Sequence, residues 1–258
     1  MEFNYKKSLG QNFIYDHDFL RSLVKDLAIQ PTDNVVEVGA GAGTLTRVLA
    51  EYGCQVHSIE IDQRLAPILQ KNLAPYDNVT LTFGDALQQD FTDYGQFRLI
   101  ANVPYYITTP LLLKFLTLSN CTDVNILVAD EVARRIVAPV GTAEYGALSV
   151  TCQWLAECSI IKDVPRHLFT PQPKIDSAFV RLVKKDVPTD AHFNQVVKGI
   201  FAGRRKTLLN ALTTVLRGNK QLAKQVLAET EIDPNLRPEQ LSPTNYWQIT
   251  QKIRNFDK

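Results

Sequence analysis

One stretch constrains the fold of this chain more than any other, because an apolar strand, a glycine-rich turn and a helix follow one another without a break. The predicted strand is Asn34–Val38, the turn is residues 39–43 (GAGAG), and the helix is Thr44–Tyr52, closed by Gly53. Glycines at a strand-to-helix turn let the backbone approach a ligand closely at a helix N-terminus. This order is typical of a nucleotide-binding α/β sheet, although a glycine triplet alone is weak evidence.

The first 185 residues continue this alternation of strands and helices. The predicted strands are residues 34–38, 55–59, 79–83, 97–101, 124–129, 158–164 and 177–183, and the predicted helices are residues 17–27, 44–52, 64–73, 111–118, 131–138 and 146–156. Helical crossovers join parallel strands, whereas the proline-rich connection between the last two strands predicts an antiparallel hairpin. The predicted fold class is therefore α/β, with a seven-stranded, mostly parallel, doubly wound sheet.

A polar, proline-containing linker at residues 184–189 precedes a part of the chain in which the periodicity is helical throughout. The predicted helices there are residues 193–201, 205–216, 221–229 and 246–253. We therefore predict two domains, an α/β domain over residues 1–185 and a small all-helical C-terminal domain over residues 186–258.

The net charge of +1 is unevenly distributed between these two predicted domains. The α/β domain contains 17 basic and 20 acidic residues, whereas the helical domain contains 11 and 7. No acidic residue lies between Asp190 and Glu229, an interval that includes Arg204, Arg205 and Lys206. A block of positive charge without acidic residues favours binding of a polyanion such as RNA, although charge alone does not distinguish such a binding site from a solvated helix face.

Several classes of protein are disfavoured by the sequence. No apolar run approaches the roughly 18 residues of a membrane span, and the N-terminus has no apolar signal core, so we expect a cytoplasmic protein without membrane contact. The four cysteines and four histidines are scattered, without spacings typical of metal ligands. We therefore expect no metal site and no disulfide framework.

Two carboxylates follow neighbouring predicted strands. Glu60 lies 21 residues after Gly39, where an acidic residue can bind both hydroxyls of a ribose. Asp85 follows the third strand and can accept a hydrogen bond from an adenine amino group. The alternatives are a solvated strand-end carboxylate at Glu60 and an ordinary Gly-Asp turn at Asp85.

The fourth predicted strand ends in Asn102-Val-Pro-Tyr105, a sequence suited to holding an exocyclic amine. Pro104 cannot donate to a sheet and holds Val103 extended. The amide oxygen of Asn102 and the carbonyl of Val103 can then accept two N–H groups, while the ring of Tyr105 holds the flat base that bears them. Taken alone, this motif is equally compatible with a strand that ends in a proline turn with an aromatic plug.

Taken together, these stretches resemble a class I, Rossmann-like methyltransferase that acts on adenine N6 with S-adenosylmethionine. Three further stretches are similar to the ribosomal RNA adenine dimethyltransferase family, and in particular to its bacterial small-subunit (16S) members. They are residues 10–14 (GQNFI), 169–177 (FTPQPKIDS) and 201–210 (FAGRRKTLLN). The resemblance extends over nearly the whole chain.

The resemblance implies that six residues bind the cofactor. One of them, Asn102, also belongs to the target-base site. Asn12 and Ile14 would contact the methionine end of S-adenosylmethionine, and Gly39 would lie against it. Glu60 would bind the ribose, and Asp85 the adenine amino group.

For the target base, the resemblance implies that Asn102 and the carbonyl of Val103 hold the amine. Pro104 belongs to the same motif, Tyr105 would stack on the base, and Phe169 would close its other face. In the helical domain, Arg204, Arg205 and Lys206 would bind RNA phosphates.

Five positions depart from the pattern of the family. Ala101 stands where Gly is usual, Val103 where Leu is commoner, and Tyr106 where Asn is frequent. Residues 129–131 (ADE) replace Gln-Lys-Glu, so the chain lacks a lysine there that could contact RNA.

The predicted function is dimethylation of the N6 amines of two adjacent adenosines in a hairpin loop of 16S rRNA during ribosome assembly. The predicted enzyme is a monomer that acts on the small ribosomal subunit or its precursor. Alternatives are a large-subunit (23S) dimethylase of the antibiotic-resistance type and a ribosome-assembly or transcription factor without turnover. An adenine-N6 DNA methyltransferase is disfavoured because no target-recognition domain is evident.

Overall fold

The computed structural model describes residues 12–256, so Gly10 and Gln11 of the predicted cofactor segment lie outside the described residues. The chain divides into two compact units. The first contains the described residues up to Ala133 together with Cys158–Lys184, and the second contains Arg134–Glu157 and the chain from Lys185 onward.

The predicted domain division differs from these units in one segment. Residues 134–157 belong to the predicted α/β domain, but Ala138, Tyr145 and Val150 are buried in the same apolar core as the C-terminal helices. The linker at residues 184–189 is predictable because the periodicity of the sequence changes there. The packing of residues 134–157 with the C-terminal helices depends on tertiary contacts, which no local sequence pattern indicates.

Nine strands and ten α-helices are present in residues 12–256. The strands are β1 (Phe13–Ile14), β2 (Asn34–Val38), β3 (Gln55–Glu60), β4 (Val79–Phe83), β5 (Phe97–Ala101), β6 (Cys121–Ala129), β7 (Ala156–Val164), β8 (Phe169–Thr170) and β9 (Ser177–Lys184). The helices are α1 (His17–Asp26), α2 (Thr44–Tyr52), α3 (Ala66–Leu73), α4 (Tyr105–Thr117), α5 (Asp130–Val137), α6 (Ala147–Leu155), α7 (Ala191–Ala202), α8 (Leu208–Val215), α9 (Lys220–Glu229) and α10 (Pro243–Phe256). None of these helices is long and apolar enough to span a membrane.

All seven predicted strands join one sheet, in the order β4-β3-β2-β5-β6-β9-β7. Strands β4, β3, β2, β5 and β6 pair in parallel, and β9 pairs antiparallel with β6. The parallel strands are apolar because helices cover the sheet, and Val35, Val36, Leu99 and Ile100 are all fully buried. The predicted fold class is thus confirmed.

Two local features were not predicted. Strands β1 and β8 form a separate antiparallel pair in which Phe13 faces Thr170 and Ile14 faces Phe169. Helix α4 begins at Tyr105, so the predicted start at residue 111, after Pro110, is wrong. Pro110 has no N–H to donate to the carbonyl of Tyr106, so the helix loses one hydrogen bond near its start, where Tyr106 is exposed to water. Burial of Leu111, Leu112 and Phe115 compensates for this loss.

The second unit packs helices α6–α10 around one apolar core. Its two largest buried side chains also make hydrogen bonds, because the hydroxyl of Tyr145 donates to the carbonyl of Leu241 and that of Tyr246 to the carbonyl of Pro238. Residues 203–206 form the turn between α7 and α8, so the prediction that the helix extends back to Arg205 is wrong.

Candidate active site

Several chain segments meet in one cavity of the first unit, at the point where the strand order reverses. The chain runs from β2 outward to β3 and β4, then returns to β5 on the other side of β2. Open α/β sheets bind ligands beyond the carboxyl ends of the strands at such a position. Nine of the ten residues predicted for the cofactor and target sites line this cavity: Asn12, Gly39, Glu60, Asp85, Asn102, Val103, Pro104, Tyr105 and Phe169.

Ile14 is the predicted residue that does not line this cavity. It is only 4% exposed and packs in the apolar core of the first unit with Leu20 and Leu45. It borders a smaller neighbouring pocket that also contains Glu37 and Asn102. Its predicted contact with a cofactor therefore has no support in the lining of the main cavity.

The carboxylate of Glu60 is buried at the end of β3 and held by two backbone groups. One oxygen accepts the N–H of Gly41 at 2.8 Å, and the other accepts the N–H of Asp62 at 2.9 Å. Burial raises the pKa of Glu60, although these backbone hydrogen bonds partly oppose the shift. The carboxylate is thus fixed in position, with part of its surface toward the cavity.

Gly39 brings the glycine turn into direct contact with the end of β5. Its φ is +89°, and a Cβ atom built on it would lie 2.5 Å from the backbone carbonyl oxygen of Asn102. The two residues follow Val38 and Ala101, which are paired in the sheet. Only glycine therefore allows the turn after β2 and the motif after β5 to lie this close together.

Gly41 makes a similar approach to Phe13, which is not among the predicted site residues. A Cβ atom on Gly41 would lie 2.7 Å from the ring of Phe13, which also lines the cavity. The only sequence signal for Phe13 is its place inside the GQNFI stretch, because its contact with the glycine turn is non-local.

The target-base motif is held at both ends. The N–H of Asn102 donates to the carbonyl of Val38 at 3.2 Å, and its side-chain Nδ2 donates to the carbonyl of Asn12 at 3.5 Å. Pro104 precedes helix α4 in an extended conformation, with φ −55° and ψ 141°. The hydroxyl of Tyr105 lies 2.7 Å from Oγ of Ser177, so the hydroxyl pair holds the Tyr105 ring at the cavity wall.

Two further predicted residues occupy different environments. Phe169 is 3% exposed, and its strand β8 pairs with β1, so it lines the cavity from within the core. Asp85 is exposed at the end of β4, and one of its carboxylate oxygens accepts the N–H of Leu87 at 2.9 Å. Both residues border the same cavity as Glu60.

The three basic residues predicted to bind RNA are not equivalent. Arg204 donates to the backbone carbonyls of Thr142 and Ala143 at 3.4 and 2.6 Å, so it has a role within the second unit. Arg205 and Lys206 are exposed in the turn between α7 and α8.

Glu37 is a buried acid beside the cavity, and the sequence alone predicts no role for it. It is 1% exposed, and its Oε2 accepts hydrogen bonds from the hydroxyls of Thr46 and Ser58 at 2.5 and 2.7 Å. Burial raises the pKa of Glu37 from 4.5 to about 7, with a smaller contribution from the charge of Glu60.

This shift predicts a pH dependence of stability. Because the folded pKa of Glu37 exceeds the unfolded one, the folded protein holds the proton between pH 4.5 and about 7, and the free energy of unfolding falls as pH rises through this range. The expected loss is about 3 kcal/mol. Urea denaturation at pH 5 and pH 8 should show that Glu37→Gln removes this loss. Glu51→Gln is the control, and an unchanged pH dependence in Glu37→Gln would contradict the assignment.

Known proteins resemble this chain over nearly its whole length. The sequence profile described as ribosomal RNA adenine dimethylase matches residues 2–254. The chain is 39% identical to the ribosomal RNA small subunit methyltransferase A of Geobacillus sp. (strain WCH70), over 98% of this chain and 93% of that protein.

Two solved structures share the fold. A dimethyladenosine transferase from Plasmodium falciparum matches with a TM-score of 0.80 at 22% identity, over 94% of this chain and 98% of that one. The 23S rRNA methyltransferase ErmE matches with a TM-score of 0.69 at 25% identity, over 94% and 99%. The profile and the Geobacillus relative both extend over nearly the whole chain, and the chain therefore belongs to the ribosomal RNA adenine dimethylase family.

Proposed function

We propose that this protein transfers methyl groups from S-adenosylmethionine to the N6 amines of two adjacent adenosines in 16S rRNA, giving N6,N6-dimethyladenosine. The observation that carries the proposal is the meeting of Glu60, Asp85 and the motif 102–105 in one cavity at the reversal of strand order. Carboxylates suited to a nucleoside and acceptors suited to an amine thus border one space.

The residues at the cavity fit S-adenosylmethionine. The fixed carboxylate of Glu60 suits the two hydroxyls of a ribose, and Asp85 suits an adenine amino group. Gly39 and Gly41 also line the cavity, where the lack of side chains lets the turn lie against Asn102 and Phe13. The bound molecule would supply a methyl group activated by a sulfonium.

Around the target base, the protein would act mainly by positioning. Asn102 Oδ1 and the Val103 carbonyl would accept the two N–H groups of N6, which favours localisation of its lone pair toward the methyl group. Tyr105, held by Ser177, would fix the plane of the base. The proton that the amine loses after transfer passes to water, so no strong base is required, and positioning and electrostatics can contribute several kcal/mol.

The choice of the small subunit rests on the relatives. The Geobacillus protein, named as a small-subunit methyltransferase, is 39% identical to this chain, whereas the 23S methyltransferase is 25% identical. The intact motif 102–105 favours an active enzyme over a binding factor without turnover.

The decisive experiment incubates the protein with labelled S-adenosylmethionine and, in separate reactions, with small or large ribosomal subunits from a methylation-deficient strain, then digests the RNA to nucleosides. The expected product is labelled N6,N6-dimethyladenosine. Label only in large-subunit RNA would support the resistance-type alternative, and no transfer to any RNA would overturn the proposal.

Replacing either carboxylate should weaken binding of S-adenosylmethionine. Glu60→Ala removes a charged acceptor for two hydroxyls, which is expected to cost about 1.5–3 kcal/mol, or roughly 10- to 150-fold in affinity. Asp85→Ala should have a smaller effect because Asp85 is exposed. Calorimetry tests both variants, with Glu51→Ala as a control outside the cavity. Wild-type affinity in both would refute the assignment.

Arg205 and Lys206 should carry the RNA contact of the second unit, and Arg204 should act mainly on stability. The double variant Arg205→Ala/Lys206→Ala is expected to bind small subunits more weakly, with a log–log salt slope lower by roughly 1 for each residue that contacts a phosphate. Arg204→Ala should lower the melting temperature because the carbonyls of Thr142 and Ala143 lose the donor that Arg204 supplies. The control variant Lys25→Ala/Lys71→Ala removes two positive charges from exposed sites of the first unit and should leave the salt slope unchanged. An unaltered salt slope in the double variant would show that Arg205 and Lys206 are solvated and do not contact RNA phosphates.

A further inference from the structure

The ammonium of Lys114 is bound by three backbone carbonyls of a single loop. Its Nζ donates to Ala86, Leu87 and Gln89 at 3.0, 2.9 and 2.6 Å. An ammonium has three N–H donors, so this loop accepts all of them. Nζ also lies 5.1 Å from the ring centroid of Phe91. Burial lowers the pKa of Lys114, opposed by the charges of nearby acidic residues.

The loop and the helix that Lys114 connects both border the cavity. The loop continues directly from Asp85, and Ala86 and Leu87 line the cavity beside it. Lys114 belongs to α4, which begins at Tyr105. Leu111 of α4 also lines the cavity, about one helical turn before Lys114, but Lys114 itself is not among the residues that line it. The ammonium of Lys114 therefore binds the loop and not the cavity, and it is the loop that borders a bound ligand.

We infer that Lys114 is a positioning residue for S-adenosylmethionine, which it holds in place indirectly by fixing the loop that follows Asp85. This inference rests on the proposed function of the cavity. Without the ammonium, three carbonyls would turn to water and the loop would have to be ordered again when the ligand binds, at a cost in affinity. The acceptors at Asn102 and Val103 lie on another segment, so the chemical step at saturating cofactor should be preserved.

The test compares Lys114→Met with Lys184→Met. Methionine keeps an unbranched stem and removes the donors. Lys184 is a suitable control because its ammonium also donates to a backbone carbonyl, that of Leu118, burial also lowers its pKa, and it does not line the cavity. Lys114→Met should raise KM and Kd for S-adenosylmethionine about 10-fold with kcat within about 2-fold of wild type. Lys184→Met should change neither constant, and Lys114→Arg should recover part of the affinity.

Two outcomes separate this inference from the proposed function. Wild-type affinity in Lys114→Met, with a loss of stability like that of Lys184→Met, would make Lys114 a structural residue only. No binding of S-adenosylmethionine to the wild-type protein would instead refute the proposed function itself.

A different observation, at the mouth of the cavity, carries a second inference. Tyr106 lines the cavity next to Tyr105, yet 67% of its surface is exposed. An adenine that enters the cavity leaves its neighbour in the RNA strand unstacked on one face, and an exposed aromatic ring can replace that stacking. We infer that Tyr106 binds the base next to the target adenine. This also rests on the proposed function.

Single-turnover methylation of small subunits tests this second inference. At subsaturating particle concentration, Tyr106→Ala should react about 5- to 100-fold more slowly, while Tyr106→Phe, which keeps the ring, should react at nearly the wild-type rate. Affinity for S-adenosylmethionine should not change. Tyr52→Ala removes another exposed tyrosine, which lies outside the cavity lining, and serves as the control. A wild-type rate in Tyr106→Ala would overturn the inference, whereas an inactive wild-type protein would overturn the proposed function.

Discussion

Replacing Asn102 with alanine is expected to lower the rate of methyl transfer about 10²- to 10³-fold, while the protein still folds and binds S-adenosylmethionine. The side chain of Asn102 lines the cavity, and its Nδ2 donates to the carbonyl of Asn12. That bond orients the amide so that Oδ1 is directed away from Asn12 and available to an amine. Because Oδ1 would hold the amine in the reacting geometry, its loss should appear in the chemical step.

Asn120→Ala is a matched control for this variant. Asn120 is also partly buried, and its Nδ2 donates to the carbonyl of Phe91 at 2.7 Å, but it does not line the cavity. It should cost stability without changing the single-turnover rate. If Asn102→Ala methylates small subunits at the wild-type rate, Asn102 is structural and the proposed mechanism is wrong.

The strand ends of the parallel sheet were predictable because their signals are local. An apolar run followed by glycine, by Glu60 or by Asn102 predicts the end of a strand from a few neighbouring residues. Parallel strands then bring those ends to one edge of the sheet. The cavity therefore contains the predicted Glu60, Asp85 and motif 102–105.

The unpredicted features all depend on contacts between distant residues. The pairing of β1 with β8 joins residues more than 150 positions apart, and the three carbonyls bound by Lys114 lie 25 to 28 residues before it. Helix α4 includes Pro110 because burial of its apolar face outweighs one lost hydrogen bond. No pattern of neighbouring residues in the sequence predicts these contacts or the extent of α4.

Replacing Gly39 with alanine is expected to lower the free energy of unfolding by about 4 kcal/mol, since two costs combine at this position. The backbone has a φ of +89°, which side chains rarely adopt, and the new Cβ would meet the carbonyl oxygen of Asn102 at 2.5 Å. Relief of that overlap requires the turn after β2 or the motif after β5 to move. Fold and active site should therefore be damaged together.

Gly95→Ala separates the two costs of Gly39→Ala. Gly95 also has a positive φ, of +64°, but no atom lies within 4 Å of a Cβ built there. It should show the backbone cost alone, about 1–3 kcal/mol, with methyl transfer unchanged in the folded protein. Urea denaturation and single-turnover assays measure both effects. If Gly39→Ala is no less stable than Gly95→Ala and transfers methyl groups normally, the close approach of the glycine turn to Asn102 does not shape the site.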